Sequence, residues 1–184
     1  MAIVKKGSGS TYAIGAYEIL KYSNLNPILI GETSSEGLKI SVEYEYKEIL
    51  GANKQVIGYY RVATTGTVEG KLVTWNNETL ATIALPGQSH VINSSGKSRI
   101  TIQDKQEDLM DYCEKYLLRR KDLDPEDPDF DEIILHHAVN VENFSLDLKP
   151  DAETTVPLKF RCFNDGPERN LITFGDETIA IPEV

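Results

Sequence analysis

The chain has 184 residues, a formal net charge of −10 and 40% hydrophobic residues. This length predicts one domain with a sizeable buried core, and the apolar content excludes a disordered chain. No apolar run approaches the roughly 20 residues that a membrane-spanning helix needs. The chain also lacks the clustered basic residues with which proteins bind the phosphates of nucleic acids.

The N-terminal stretch lacks the apolar segment of a signal peptide after Lys5 and Lys6, so we expect a protein that is cytosolic when made. Cys113 and Cys162 are the only cysteines. Two isolated cysteines in an intracellular chain are more often buried thiols than a disulfide. Both are therefore predicted to pack in the core.

Period-two alternation dominates the first half of the chain and predicts β-strands. TYAIGAYEIL and NPILIG have the weaker strand patterns. LKISVEYEYK, residues 38–47, alternates without a break and predicts a half-buried strand with one face in water. Residues 55–63 are predicted to pair with it across a turn near GANK. The apolar face of residues 38–47 consists of Leu38, Ile40, Val42, Tyr44 and Tyr46. The polar face consists of Lys39, Ser41, Glu43, Glu45 and Lys47.

The middle of the chain predicts two further strands and a short helix. Residues 67–75 form a strand in which Gly70 indicates a bulge or a close backbone contact. In NNETLATIALPG an Asn begins a helix and Pro-Gly ends it. The apolar residues at helical spacing are Leu80, Ile83 and Ala84. SRITIQ, residues 98–103, alternates again and predicts a strand.

The strongest predicted helix is DKQEDLMDYCEKYLLRR, residues 104–120. Asp104 and Glu107 have the spacing of a capping box, and two arginines at the other end favour the helix dipole. The apolar stripe is formed by Leu109, Met110, Cys113, Tyr116 and Leu117. Together with the acidic loop that follows, this helix is predicted to be an insertion, residues 104–132, in a single domain of residues 1–184.

Two adjacent histidines lie in IILHHAVNV, residues 133–141, and raise the question of a metal or acid–base site. The β-branched residues predict a strand, in which His136 and His137 point to opposite faces and cannot bind one ion together. We interpret them as two unrelated strand side chains. One predicted face of this strand carries Leu135, His137, Val139 and Val141. The opposite face carries His136, Ala138 and Asn140. After Glu142 the apolar phase flips, which indicates a bulge or a tight bend.

The last predicted strands are TTVPLKFRCF, residues 154–163, and NLITF, residues 170–174. One face of the first carries Val156, Leu158, Phe160 and Cys162. Pro157 cannot donate to a strand ladder, which favours an edge position or a strand start. The predicted fold class is therefore mainly β with an inserted helix (α+β).

No enzyme motif emerges from the chain. The acids of 122–132 could bind a cation through their carboxylates, but a solvated loop is favoured because the EF-hand glycine and spacing are missing. Glu43 and Glu45 share a strand face without an evident cleft, and GSGSTYAIG lacks the Lys-Ser/Thr of a P-loop. We predict no catalytic, cofactor-binding or metal-binding residues. The aromatic residues that could form a sugar-binding platform, a core or a subunit interface are Tyr44, Tyr46, Tyr59, Tyr60 and Trp75.

The chain resembles the tail tube proteins, the major tail proteins of long-tailed bacteriophages. The resemblance is carried by GSGSTYAIGAYEI, GLKISVEYEYKEILG, ETLATIALPG, EIILHHAVNVENFSLDL and TTVPLKFRCFNDGPERNLITFGDE; residues 104–132 match least well. It implies a β-sandwich or barrel flanked by an α-helix, and six-copy rings that stack into a tube. DNA would cross the lumen without specific binding. It further implies the tape measure and other tail proteins as partners, synthesis in the host cytoplasm, a final place in the virion, and neither cofactor nor membrane.

Long strands with free edges aggregate unless they are covered or paired, and a ring of copies removes the edges. An acidic lumen would repel DNA and let it slide. We expect Glu43, Glu45 and Glu69 to face the lumen; ordinary solvent-facing charges are the alternative. The alternative functions are another phage tail component (a distal-tail, completion or connector protein) and a carbohydrate-binding β-sandwich module.

Overall fold

The computed structural model describes residues 3–6, 10–13, 16–23, 26–121, 132–146, 154–164 and 170–175. The chain is mainly β. Its described strands are β1 (Ile3–Lys6), β2 (Ser10–Ala13), β3 (Tyr17–Ser23), β4 (Asn26–Thr33), β5 (Lys39–Leu50), β6 (Val56–Thr74), β7 (Ser89–Ile92), β8 (Ser98–Thr101), β9 (Glu114–Arg120), β10 (Glu132–Asn140), β11 (Val156–Cys162) and β12 (Ile172–Phe174). The described helical segments are an α-helical turn, α1 (Asn77–Thr79), a π-helical turn (Leu80–Ala84) and a 3-10 turn (Leu109–Tyr112).

Six strands close into an antiparallel barrel in the order β3, β4, β6, β11, β10 and β9, with β9 returning to β3. Closure occurs at Leu72 of β6, which pairs with Thr33 of β4 on one side and with Val156 of β11 on the other. A closed barrel leaves its member strands without free edges where they pair. Outside the barrel, β5 pairs with β6 and β12 with β10, while β1–β2 and β7–β8 form separate hairpins.

The barrel interior is the main hydrophobic core, and β11 supplies one wall of it. The four residues of its predicted apolar face, Val156, Leu158, Phe160 and Cys162, are all buried, which confirms that prediction. The ring centroid of Phe160 lies 4.9 Å from that of Tyr116 in β9. Pro157 pairs only with β6, because β10 meets β11 from Phe160 onward. Of the two positions that the sequence left open, an edge or a strand start, the structure shows the strand start.

The helical segment after β6 packs against the barrel core through Leu80, Ile83 and Ala84. Asn76 is its N-cap, as predicted: the side-chain Oδ1 accepts a hydrogen bond from the Thr79 N–H at 2.8 Å. The Thr79 hydroxyl donates to the carbonyl oxygen of Ile30 in β4. These bonds fix the segment to the barrel, while the α-helical geometry gives way to a π-turn from Leu80 onward.

The predicted helix at 104–120 is wrong. Residues 104–108 have no regular structure, a 3-10 turn follows, and the remainder is β9 in the barrel wall. Tyr116 and Leu118 belong to the main core, whereas Leu117 packs with Leu20 and Ile134 in a separate buried cluster. Because β9 is paired on both edges and buried on both faces, its apolar residues do not alternate. The acidic residues 122–131 lie outside the described part of the chain.

The histidine pair lies in strand β10, as predicted, but a bulge changes the predicted faces. The register of β10 against β9 shifts between Leu135 and Ala138, so that both residues reach the main core. The buried His136 has its Nε2 2.7 Å from the Thr173 hydroxyl oxygen, and His137 is only partly buried. The chain also bends at Glu142, which confirms the bend predicted from the change of apolar phase. Within the described ranges, no three His, Cys, Asp or Glu side chains are grouped so that they could hold a metal ion.

Candidate functional site

The most unusual feature of the molecule is a long hairpin that leaves the barrel, which we call the arm (residues 42–65). Strand β6 pairs with β11 only from Gly66 to Leu72. In the other direction, from Thr65 back to Val56, its described partner is β5 alone. At about 3.3 Å per residue, the stretch from Gly66 back to Val56 extends roughly 33 Å past the end of β11. The predicted pairing of these two strands across a turn near GANK is confirmed.

The apolar side chains of the arm are exposed. Only Leu38 and Ile40, which precede the arm, pack against the core. The prediction that 38–47 forms a half-buried strand is therefore wrong beyond Ile40. On the arm itself the exposed large apolar residues, each at least 41% exposed, are Val42, Tyr44, Tyr46, Ile49, Leu50, Val56, Ile57, Tyr59, Tyr60 and Val62. Exposed apolar surface on this scale is typical of an interaction site.

The arm also carries unpaired backbone edges. In the part of the chain that the structure describes, no strand pairs with β5 on the edge away from β6. The opposite edge of β6 is likewise without a described strand partner from Val56 to Thr65. Two rows of backbone N–H and C=O groups are thus available to another chain.

One face of the arm continues the outer face of the barrel and holds the predicted acidic residues. Glu43 and Glu45 lie opposite Thr65 and Ala63 on this face, and both are exposed. Glu69 lies on the same face nearer the barrel, since its neighbour Val68 points into the core. The structure therefore brings the three predicted acids onto one surface.

Basic side chains compensate Glu69. Its carboxylate lies 2.8 Å from Lys159 Nζ and 3.4 Å from Lys39 Nζ. Hydrogen bonds from Lys159 and then from Lys39 lower the pKa of the Glu69 carboxyl below its ordinary value. In turn, the hydrogen bond and the charge of Glu69 raise the pKa of Lys159, with smaller contributions from the charges of Glu142 and then Glu43. The face is of mixed charge near the barrel, and on the arm Glu43 and Glu45 share it with the exposed Lys47.

The opposite face of the arm is aromatic. The ring centroids of Tyr44 and Tyr46 are 6.2 Å apart, and the Arg61 guanidinium lies 4.2 Å from the centre of the Tyr44 ring. A cation over a ring face is an attractive contact that orders both side chains. The predicted position of these tyrosines on strands is confirmed, with their rings exposed.

A polar cleft elsewhere on the molecule is lined by Lys21, His90, Asp111, Tyr112 and Glu114, among others. Lys21 Nζ and the Glu114 carboxylate form an ion pair at 2.7 Å. The Tyr112 hydroxyl donates to Glu107 at 2.7 Å, which raises the pKa of Tyr112. The buried Nε2 atom of His90 has no hydrogen-bond partner among the described residues, so the cleft shows no nucleophile held by this imidazole.

No model of a known protein family matches the chain, and no curated protein matches it. None of the helices in the described ranges has the length and apolar character needed to cross a bilayer. The function is therefore inferred from the geometry of the arm.

Proposed function

We propose that this protein is a structural component of a bacteriophage tail tube, and that its copies form hexameric rings that stack around a lumen crossed by DNA. The observation that carries the proposal is the arm, with apolar side chains exposed along its length and two backbone edges that no described strand pairs with. Such a hairpin adds little stability to a single chain, since an isolated two-stranded ribbon is only marginally stable in water. A second copy covers it.

The two edges of the arm suit a ring. In an antiparallel hairpin the outer edges of β5 and β6 run in opposite directions, so the β5 edge of one copy can pair antiparallel with the β6 edge of the next. The two edges are different surfaces, and a contact between them is heterologous. Heterologous contacts close into rings when the rotation between neighbours allows it, and contacts between rings extend the assembly as a filament.

The proposal places the arms around the lumen, with the tape measure and other tail proteins as partners in the virion. The exposed tyrosines on the aromatic face favour a second candidate, a carbohydrate-binding module. A module of this kind works as a monomer and binds glycans through stacking. A tail component that forms one ring without stacking is the third candidate.

Electron microscopy of the purified protein tests the proposal. We expect long hollow filaments that lengthen with concentration. An arm-shortened variant, in which Asn-Gly joins Glu45 directly to Ala63, serves as the control, since a two-residue turn suits paired flanking residues. Its barrel pairing from Gly66 to Thr74 is untouched, so it should unfold cooperatively and remain monomeric.

Three results contradict the proposal. A wild-type protein that is monomeric at every concentration contradicts the tail tube proposal. Glycan binding by that monomer would support the carbohydrate-binding module instead. Single rings that never stack establish the ring component. Filaments formed equally well by the arm-shortened variant show that the arm is not the assembly element.

A further inference from the structure

Along the arm, strand β6 is longer than its partner by two residues. Eight residues of β5 (43–50) pair opposite ten residues of β6 (56–65). The register shifts twice on the way, and the two extra residues, both on β6, are Val62 and Ile57. An extra residue of this kind is a β-bulge, which bends its strand and increases the local twist.

The charges of the arm favour the bulge at Val62 over regular pairing. With the bulge, Tyr46 lies opposite Arg61, and Lys47 lies opposite Tyr60. Without an extra residue, the same strands in continuous register would set Lys47 directly opposite Arg61. Like charges in that position destabilise a strand pair. The side chains on both strands therefore specify where the register shifts.

Contacts on the aromatic face span this bulge. Arg61 lies on the side of Val62 that leads to the turn, whereas Tyr44 lies on the barrel side, opposite Thr64. The Arg61 guanidinium is nevertheless 4.2 Å from the centre of the Tyr44 ring. A cation over a ring face is an attractive contact, so it holds the two sides of the bulge in one relative orientation. The bend is thus a defined feature of the arm.

The bulge lies near the base of the arm. Val62 is four positions along β6 from Gly66, where the pairing with β11 begins, which is roughly 13 Å at about 3.3 Å per residue. Another six positions, roughly 20 Å of paired strand, separate Val62 from Val56. A change of strand direction at Val62 therefore re-aims the whole outer part of the arm.

We infer that the bulge at Val62 sets the curvature with which arms of neighbouring copies close into a ring. The inference rests on the proposed function and deepens it, because it names the element that separates a closed ring from an open sheet. Sheets curve and close through bulges at defined positions, and the number, stagger and tilt of the strands in a barrel must agree. Arms without this bend would still pair edge to edge, but at a different curvature.

Deletion of Val62 tests the inference. Every described pair of β5 with β6 is kept, because the pairs on either side of Val62 become consecutive, and no side chain changes face. The pairing of β6 with β11 begins at Gly66 and is untouched, so the variant should unfold in urea as cooperatively as the wild type. In electron microscopy we expect open sheets, or tubes whose diameter differs from that of wild-type tubes.

Three further variants isolate the effect of the bend. Val62→Ala keeps the extra residue and truncates only an exposed side chain, so its tubes should have the wild-type diameter. Deletion of Ile57 should also leave the diameter unchanged, because only the pair of Leu50 with Val56 lies beyond that bulge. Deletion of Ala63 removes the bulge at Val62 in a second way, since it brings Val62 opposite the partner of Ala63, and should change the diameter.

The outcomes separate this inference from the proposed function. Tubes of wild-type diameter from the folded Val62 deletion overturn the inference and leave the tail tube proposal standing. A folded deletion variant that stays monomeric also overturns it, because straightened arms should still pair. The same holds if Val62→Ala changes the diameter as much as the deletion does, or if neither deletion at this bulge folds. A wild-type protein that never assembles removes both proposals.

Discussion

Gly31 of β4 lies against β6 and the helical segment. A Cβ at this position would meet Leu72 Cδ1 at 2.6 Å and the Thr74 carbonyl oxygen at 3.1 Å. The leucine can rotate away, but the carbonyl belongs to the barrel backbone. We expect Gly31→Ala to lower the free energy of unfolding by about 1–3 kcal/mol, the usual cost of overpacking. Urea denaturation, at protein concentrations too low for assembly, measures this loss of stability.

Gly58→Ala is the matched control for Gly31→Ala. A Cβ on Gly58 would lie 3.7 Å from Ile49 Cδ1, which is ordinary contact. Because the position is on the arm, away from the barrel, its effect on the free energy of unfolding should stay within about 0.5 kcal/mol. Equal losses of unfolding free energy for the two variants would show that β4 and β6 leave room for a side chain at Gly31.

The thiols of Cys162 and Cys113 should differ in reactivity. Burial in the core raises the pKa of Cys162 to about 12, and partial burial raises the pKa of Cys113. Only the thiolate reacts, so at pH 8 the reactive fraction of Cys162 is on the order of 10⁻⁴, and it increases as the pH rises toward the pKa.

Single-cysteine variants measure this difference. In Cys113→Ser, a chromogenic disulfide reagent should leave Cys162 unlabelled at pH 8 until denaturant is added. In Cys162→Ala, the remaining Cys113 should react in the folded protein, because it is only partly buried. Rapid labelling of Cys162 without denaturant would mean that the barrel opens at β11.

At the scale of single elements, the sequence predicts a strand well where one face is buried. In β11, alternation predicts the buried face, which is confirmed, and Pro157 predicts an edge or a strand start, of which the strand start is found. Strand β9 is buried on both faces and paired on both edges, so Tyr116, Leu117 and Leu118 follow one another as they would in a buried helix. Pairing with β3 and β10 then overrides the local helical pattern.

The same limit applies to β10 and to the arm. The bulge at His136 and His137 is a property of the register against β9, which no local pattern contains. In β5, alternation predicts the strand, its partner and the shared face of Glu43 and Glu45, but it does not tell whether an apolar face is covered by the same chain or by another. The residues that flank the turn of the arm have a weaker sequence signal, because apolar side chains on both sides of a turn have many explanations. They are Ile49, Leu50, Val56 and Ile57.

At the scale of the whole molecule, the proposed ring sets a condition on the strands. Two strands from each of six copies give about twelve, between the eight-stranded barrels that side chains fill and the 16–18-stranded barrels that hold an aqueous channel. A lumen for duplex DNA therefore requires more than the arm from each copy.

The charge of that surface decides how DNA moves through the proposed tube. Because Lys39 and Lys159 compensate Glu69, the repulsion of DNA depends on Glu43 and Glu45. Replacing both by Lys changes each copy from −10 to −6, since each substitution adds two charges. We expect tubes of normal length that release DNA more slowly, because lysines in a lumen bind phosphates.

Phage particles built with this variant provide the measurement, as the rate at which a dye detects released DNA. The matched control is Glu78→Lys with Asp104→Lys, which makes the same charge change at exposed positions outside the arm. The delay should shrink near 1 M salt, where the Debye length falls to about 3 Å. Release at the wild-type rate in low salt would show that Glu43 and Glu45 face the solvent outside the tube, and the tube itself would have to conduct DNA by another surface.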